Sequence, residues 1–107
     1  MTNGETSASV AAWAEETFGP VADLRDLVAR ATEELDELAT AIGGGESREA
    51  IVSEVADVAI LLHRIAALCG DDLVAAIDRK MAINRDRVWR RSGNGTGRHV
   101  EATPSDD

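Results

Sequence analysis

Tyrosine is absent from this chain, and phenylalanine and tryptophan together supply three residues of 107. Strand-rich domains draw on aromatic and β-branched residues, and no stretch here alternates apolar with polar positions, so a β fold is not expected. A single cysteine, Cys69, excludes an intramolecular disulfide. It falls within an apolar helical pattern and reads as a buried packing thiol. Basic residues are also scarce, 11 against 20 acidic ones, for a formal charge of −9. That balance argues against a nucleic-acid polymer as partner, which would require a basic patch. A small polyphosphate is still admissible, because metal ions and a few basic side chains meet its charge locally. No apolar run reaches the roughly 20 residues of a membrane span. No basic segment followed by an apolar run opens the chain, so no signal peptide is expected and a soluble, cytoplasmic protein is the reading.

What the chain does contain is helix-forming sequence, rich in Ala and Leu, at a length suited to one domain. Residues 1–8 are small and polar and read as a flexible N-terminus. Ser9 is placed to cap a short helix to about Phe18, ended by Gly19-Pro20. A second helix is expected over Val21–Ile42, started by Asp23 or the residues around Pro20 and stopped at Gly43-Gly44-Gly45. Ser47 caps a third, which ends at Gly70, and Asp71 or Asp72 opens a fourth that continues to about Arg90. Residues 92–107 lack periodicity and read as a disordered tail. The expected architecture is therefore all-α: a four-helix bundle over residues 9–91.

The centre of that bundle is a helix hairpin. Leu24, Val28, Ala31, Leu35, Leu38 and Ile42 recur at steps of four and three, as do Ile51, Val55, Val58, Leu62, Ile65 and Cys69. Two matched seams joined by a glycine turn predict antiparallel, side-by-side packing. Beside them lie two acidic pairs at i,i+3, Glu34/Glu37 and Glu54/Asp57, each residue standing one before a seam position. The second pair interrupts a helix that is otherwise apolar on nearly every face. Buried charge without a partner costs several kcal/mol after relaxation, and clustered like charges cost more, so cations are required if the four acids meet. Oxygen ligands without His or Cys suit Mg²⁺ or Mn²⁺ rather than structural zinc.

The fourth helix offers a complement. Lys80, Asn84 and Arg87 fall at i, i+4 and i+7, and Asn84 occupies a position in the run Ile77, Met81, Asn84, Val88 where an apolar residue is expected. Carboxylates for divalent ions, with Lys, Asn and Arg opposite, are the equipment for hydrolysing a polyphosphate ester: the ions neutralise phosphate oxygens and activate water, and the basic groups fix the phosphate chain.

These residues resemble a known family. The run Glu33-Glu34-Leu35-Asp36-Glu37, then Glu54-Val55-Ala56-Asp57 after a gap of 16 residues, then KMAINRDRVW from Lys80, is similar to the MazG-like nucleoside triphosphate pyrophosphohydrolases over about residues 10–90. The resemblance implies a Mg²⁺-dependent all-α enzyme that cleaves an NTP or dNTP between the α and β phosphates, releasing a monophosphate and pyrophosphate. It implies Glu34, Glu37, Glu54 and Asp57 as metal ligands, with Glu37 and Glu54 the candidates to orient the attacking water. Lys80, Asn84 and Arg87 would hold phosphates, and a homo-oligomer, dimer or tetramer, is expected.

Other residues admit two readings each. Trp13 is a candidate to stack on a base, or a core or interface residue, and Trp89 reads as packing the end of the fourth helix. Arg30 reaches toward a phosphate or simply pairs with Glu34 one turn away. His63 reads as a structural histidine, and His99 lies in the expected tail. Neither has a Glu three residues before it, which removes the signature of di-iron bundles. No glycine-rich loop follows a strand, so a P-loop enzyme is excluded. The rival functions are a phosphoribosyl-ATP pyrophosphatase and a non-enzymatic helical oligomerisation module.

Overall fold

The structure is a computed structural model and describes residues 4–100. It contains four helices, α1 (Ser7–Phe18), α2 (Leu24–Gly43), α3 (Arg48–Leu68) and α4 (Leu73–Asp86), followed by two short strands, β1 (Trp89–Arg91) and β2 (Gly97–His99). The chain divides into two compact units at Ala76–Ile77. The all-α reading holds, with differences at the element ends.

In the first unit, α1 starts earlier than expected. Its cap is Thr6, whose side chain accepts a hydrogen bond from the Ser9 N–H, while the Ser9 hydroxyl accepts one from the Thr6 N–H. Ser9 is therefore the inner partner of a capping box, which extends the helix by most of a turn. The flexible reading of residues 1–8 is corrected for Ser7, which is fully buried. Its N–H donates to Asp72 Oδ1 at 3.0 Å, its Oγ lies 2.7 Å from His63 Nδ1, and the Leu73 N–H donates to the same Oγ at 2.7 Å. One serine thus ties α1 to α3 and to the start of α4, and His63 has the structural role expected of it. Asp72 also accepts from the Ala75 N–H, so it opens α4 as the sequence suggests.

Asp23 caps α2 by accepting from the Arg25 N–H at 2.9 Å, and Ser47 caps α3 by accepting from Ala50. Between them the chain reverses at Gly44 and Gly45, and Gly45 takes a φ of 67°, where a side chain would be strained. The two helices pack as the predicted antiparallel hairpin, on a stripe that keeps Ala31 and Ile65 of the predicted seams and is rotated away from their remaining large residues. Leu27, Ala31 and Leu61 form the buried cluster, with Val21 and Ile65 packed against it. The seam residues Val28, Leu35 and Ile42 on α2, and Val55 and Leu62 on α3, are exposed. α2 carries two apolar stripes, and the one holding Leu27 and Ala31 faces inward; each large side chain buried there gains about 1.5–3 kcal/mol. Cys69 follows α3 as its C-terminal cap and is exposed, which corrects the reading of a buried thiol. α1 crosses α3 through Ala14, whose exposure is 0%.

In the second unit, α4 stops at Asp86 rather than near Arg90. The expected disordered tail is corrected over residues 92–100: β1 and β2 pair antiparallel with Trp89 opposite His99 and Arg91 opposite Gly97. Glycine makes this possible without any apolar alternation. A Cβ at Gly97 would stand 2.7 Å from the Arg90 carbonyl oxygen. Trp89 donates its indole N–H to the Asn84 carbonyl at 2.8 Å, and so fastens the hairpin to the end of α4. The remainder of the expected tail, 101–107, lies outside the described residues. No helix among the described residues is long and apolar enough to cross a membrane.

Candidate active site

In an antiparallel hairpin, residues equally far from the turn face each other. Glu34 and Glu37 precede the Gly44–Glu46 turn by about the distance at which Asp57 and Glu54 follow it, so the two acidic pairs meet across the hairpin. One carboxylate oxygen from each of Glu34, Glu54 and Asp57 lies within 4.8 Å of the other two. Because the inward stripe is rotated from the predicted seam, Glu34 is not on a shoulder but within the packed face, at 5% exposure. Glu37 falls outside this three-oxygen group, yet it lines the same cleft as Glu34 and Asp57.

The electrostatics fit close acids. Burial pushes the Glu54 carboxyl above its ordinary value, and the charges of Glu37, Asp57, Glu34 and Glu46 raise it further, in that order. Glu54 Oε1 is buried and has no hydrogen-bond partner among the described residues. A buried oxygen of this kind calls for a donor or a cation. Three converging carboxylate oxygens, with one left unsatisfied, fit a hard divalent ion. One positive charge is already present: Arg30 Nη1 lies 2.6 Å from Glu34 Oε2 and 3.1 Å from Glu33 Oε1. The hydrogen bond to Glu34 is the main cause that holds Arg30 above its ordinary pKa. Arg30 is therefore engaged by the acids, as its i,i+4 spacing suggested.

The cleft beside the acids has a volume of about 590 Å³, within the range of small-molecule sites. One wall comes from α1, where Trp13 and Phe18 make an edge-to-face pair with ring centroids 5.4 Å apart. Both rings are largely exposed, 57% and 67%, so Trp13 is a cleft residue rather than core. Arg64 on α3 also lines the cleft, with its guanidinium 5.8 Å from the Phe18 ring centre. Arg64 had no signal in the sequence beyond standing seven residues after Asp57 on the same helix stripe.

Lys80, Asn84 and Arg87 lie in the second unit. Lys80 and Asn84 are on α4, whereas Arg87 follows its last residue, so the expected three-residue stripe is two residues on the helix and one beyond it. Asn84 Oδ1 is buried and, among the described residues, accepts no hydrogen bond; its amide reaches Met81 Sδ at 3.9 Å. A polar group in an apolar run, lacking a partner, is what the sequence pattern anticipated there.

Comparison with known proteins decides the family. A dATP/dGTP diphosphohydrolase of Cyanophage S-2L is 39% identical over 106 residues, covering 97% of this chain and 95% of that protein. The chain belongs to the MazG-like nucleoside triphosphate pyrophosphohydrolases. A dATP/dGTP diphosphohydrolase of Salmonella phage PMBT28 is 42% identical over 93 residues, and this chain spans 29% of that longer protein. Among solved structures, the Cyanophage S-2L MazG-like pyrophosphohydrolase bound to dGDP and three catalytic Mn²⁺ ions per active site superposes with a TM-score of 0.69 at 38% identity, covering 89% of this chain and 93% of that one. No protein-family model matches the sequence.

Proposed function

We propose that this MazG-like pyrophosphohydrolase acts on purine deoxynucleoside triphosphates with Mg²⁺ or Mn²⁺, cleaving between the α and β phosphates. The observation that carries the reading is the convergence of Glu34, Glu54 and Asp57, two of which, Glu34 and Asp57, line one cleft together with Trp13 and Phe18. Metal ligands and an aromatic face in one cleft match a nucleotide's phosphates and base. The naming of both phage relatives as dATP/dGTP diphosphohydrolases supports the purine deoxynucleotide class.

In this reading Glu34, Glu54 and Asp57 hold the divalent ions. When bound, those ions neutralise phosphate oxygens and lower the pKa of water. Glu37, in the cleft but outside the three-oxygen group, accepts the proton of the attacking water. The new bond forms between that water's oxygen and the α phosphorus, and the bond broken joins the α phosphorus to the bridging oxygen, which leaves with pyrophosphate. Arg30, in the same cleft and beside Glu34, would donate to a phosphate oxygen. Lys80, Asn84 and Arg87 are assigned to the phosphate chain on their motif alone. Buried Glu34 and the unsatisfied Glu54 Oε1 are not the solvated acids that a non-catalytic oligomerisation module would carry.

We infer, too, that the active form is a homo-oligomer. Val28, Leu35 and Ile42 of α2, with Val52, Val55 and Leu62 of α3, leave one face of the hairpin apolar and exposed. A contiguous face of that kind marks an association surface, and a second copy of the hairpin offers a matching one.

The activity test is to incubate the protein with each dNTP and NTP plus Mg²⁺ or Mn²⁺ and identify the products. Monophosphate and pyrophosphate, from dATP and dGTP first, are expected. Release of orthophosphate, or no turnover and no metal-dependent thermal shift, would overturn the reading.

A further inference from the structure

Arg64 is 8% exposed and, among the described residues, no carboxylate, carbonyl or hydroxyl accepts a hydrogen bond from it. Its guanidinium lies over the Phe18 ring, 5.8 Å from the ring centre. A guanidinium has five donors and stays charged, and no Arg64 nitrogen is among the sealed, unpartnered atoms, so its donors open outward from the fold. Arg64 borders a hollow of about 10 Å³ beside Glu15 and Gly19 and the cleft of about 590 Å³, and of these two the cleft has room for a ligand that brings acceptors. We propose that Arg64 reads the base of the substrate, donating a fork of two hydrogen bonds to the N7 and O6 acceptors of guanine.

Position selects the base over the phosphates. Arg64 follows Asp57 by two helical turns, about 10 Å along the axis at 1.5 Å per residue. That places it toward the aromatic wall of the cleft, while Arg30 stays with the carboxylates through Glu34. A nucleotide whose phosphates lie at the acids extends its base in that direction. Trp13 and Phe18 offer the base an apolar wall, and Arg64, held against Phe18, meets its edge. Guanine presents two adjacent acceptors on that edge, matching the planar fork. Adenine presents N7 beside an amino group that is itself a donor, so one of the two bonds is lost and two donors oppose each other. The expected consequence is selection of dGTP over dATP by roughly tenfold in kcat/KM, the low end for a bidentate purine contact.

This rests on the proposed nucleotide activity of the same cleft, and the experiment separates the two. The specificity ratio dGTP/dATP is measured for the wild type and for R64K, which keeps the charge and removes the fork. R64K is expected to bring the ratio close to one, its loss of kcat/KM on dGTP exceeding its loss on dATP by about the wild-type ratio. Wild-type protein is also assayed with 7-deaza-dGTP, which lacks the N7 acceptor and needs no variant to fold; kcat/KM is expected to fall several-fold from dGTP, and R64K to show no such difference. Equal losses on both purines in R64K, or 7-deaza-dGTP hydrolysed as well as dGTP, would overturn the proposal and leave Arg64 as a packing or phosphate group. If no triphosphate turns over, the activity reading fails by itself. Equilibrium binding of dGDP against dADP with Mn²⁺ then tests the base contact, and equal affinities in the wild type would overturn it.

Discussion

At Glu54, burial and four neighbouring acids act in one direction, and both raise the carboxyl above its ordinary value of 4.5. The folded state therefore binds this proton more tightly than the unfolded chain. In metal-free protein the resulting stability is fully present below the ordinary value and is lost as pH rises through the elevated one. Asp72 works oppositely. Hydrogen bonds from the Ser7 and Ala75 N–H groups, led by Ser7, hold it below its ordinary 3.8, so its contribution is present above that value and lost as pH falls through the depressed one. E54Q should abolish turnover while leaving metal-free protein at neutral pH at least as heat-stable as the wild type, and should flatten the decline in thermal midpoint above pH 4.5. Full turnover by E54Q in the product assay would remove Glu54 from the site. The acids could be found from spacing because i,i+3 pairs on both arms of a hairpin converge by geometry alone. Arg64 could not, since its burial depends on where α1 crosses α3, and no local pattern records a crossing. Cys69 was misplaced because a periodic stripe does not report where the helix stops.

For the α2–α3 hairpin, the sequence period correctly announces two antiparallel helices, and the caps Asp23 and Ser47 and the glycine turn were legible as local chemistry. Which of two apolar stripes turns inward was not, because α2 is amphipathic on both sides of its acidic motif and periodicity is blind to partner identity. The exposed stripe has a measurable consequence. V28K replaces an apolar residue at 53% exposure with a charged one. Lysine is a good helix former, so α2 should survive the change. Sedimentation is expected to show the wild type as a dimer or larger and V28K as largely monomeric, with association weakened on the order of 30-fold or more, as for loss of a 2 kcal/mol interface contact. An unchanged assembly, or a monomeric wild type, would show that this face is not the contact. The β1–β2 hairpin escaped the sequence reading for a different reason: its turn is built from glycine torsions and backbone pairing, and neither leaves an apolar signature.

Across the whole chain, the surplus of acid over base spoke against a nucleic-acid polymer and left a small polyphosphate admissible, and composition carried no more than that. The order of assembly was not legible. Ser7 is 65 residues from Asp72 and 66 from Leu73 in sequence, whereas the α2–α3 contacts close across a short turn. Loop closure of that length is entropically slow to offset, so the hairpin is expected to form first and α1 to dock last. S7A leaves the Leu73 N–H without its acceptor, a loss of about 1–2 kcal/mol. Because that bond is absent from the folding transition state, the loss should appear as roughly 5–30-fold faster unfolding with the refolding rate nearly unchanged. A chevron plot in chelator at fixed protein concentration distinguishes this from an early-docking helix, which would slow refolding instead. On a ribosome, α1 leaves first and waits longest. The wall with Trp13 and Phe18 is made before any acid of the site and is fastened only after residue 73 has emerged.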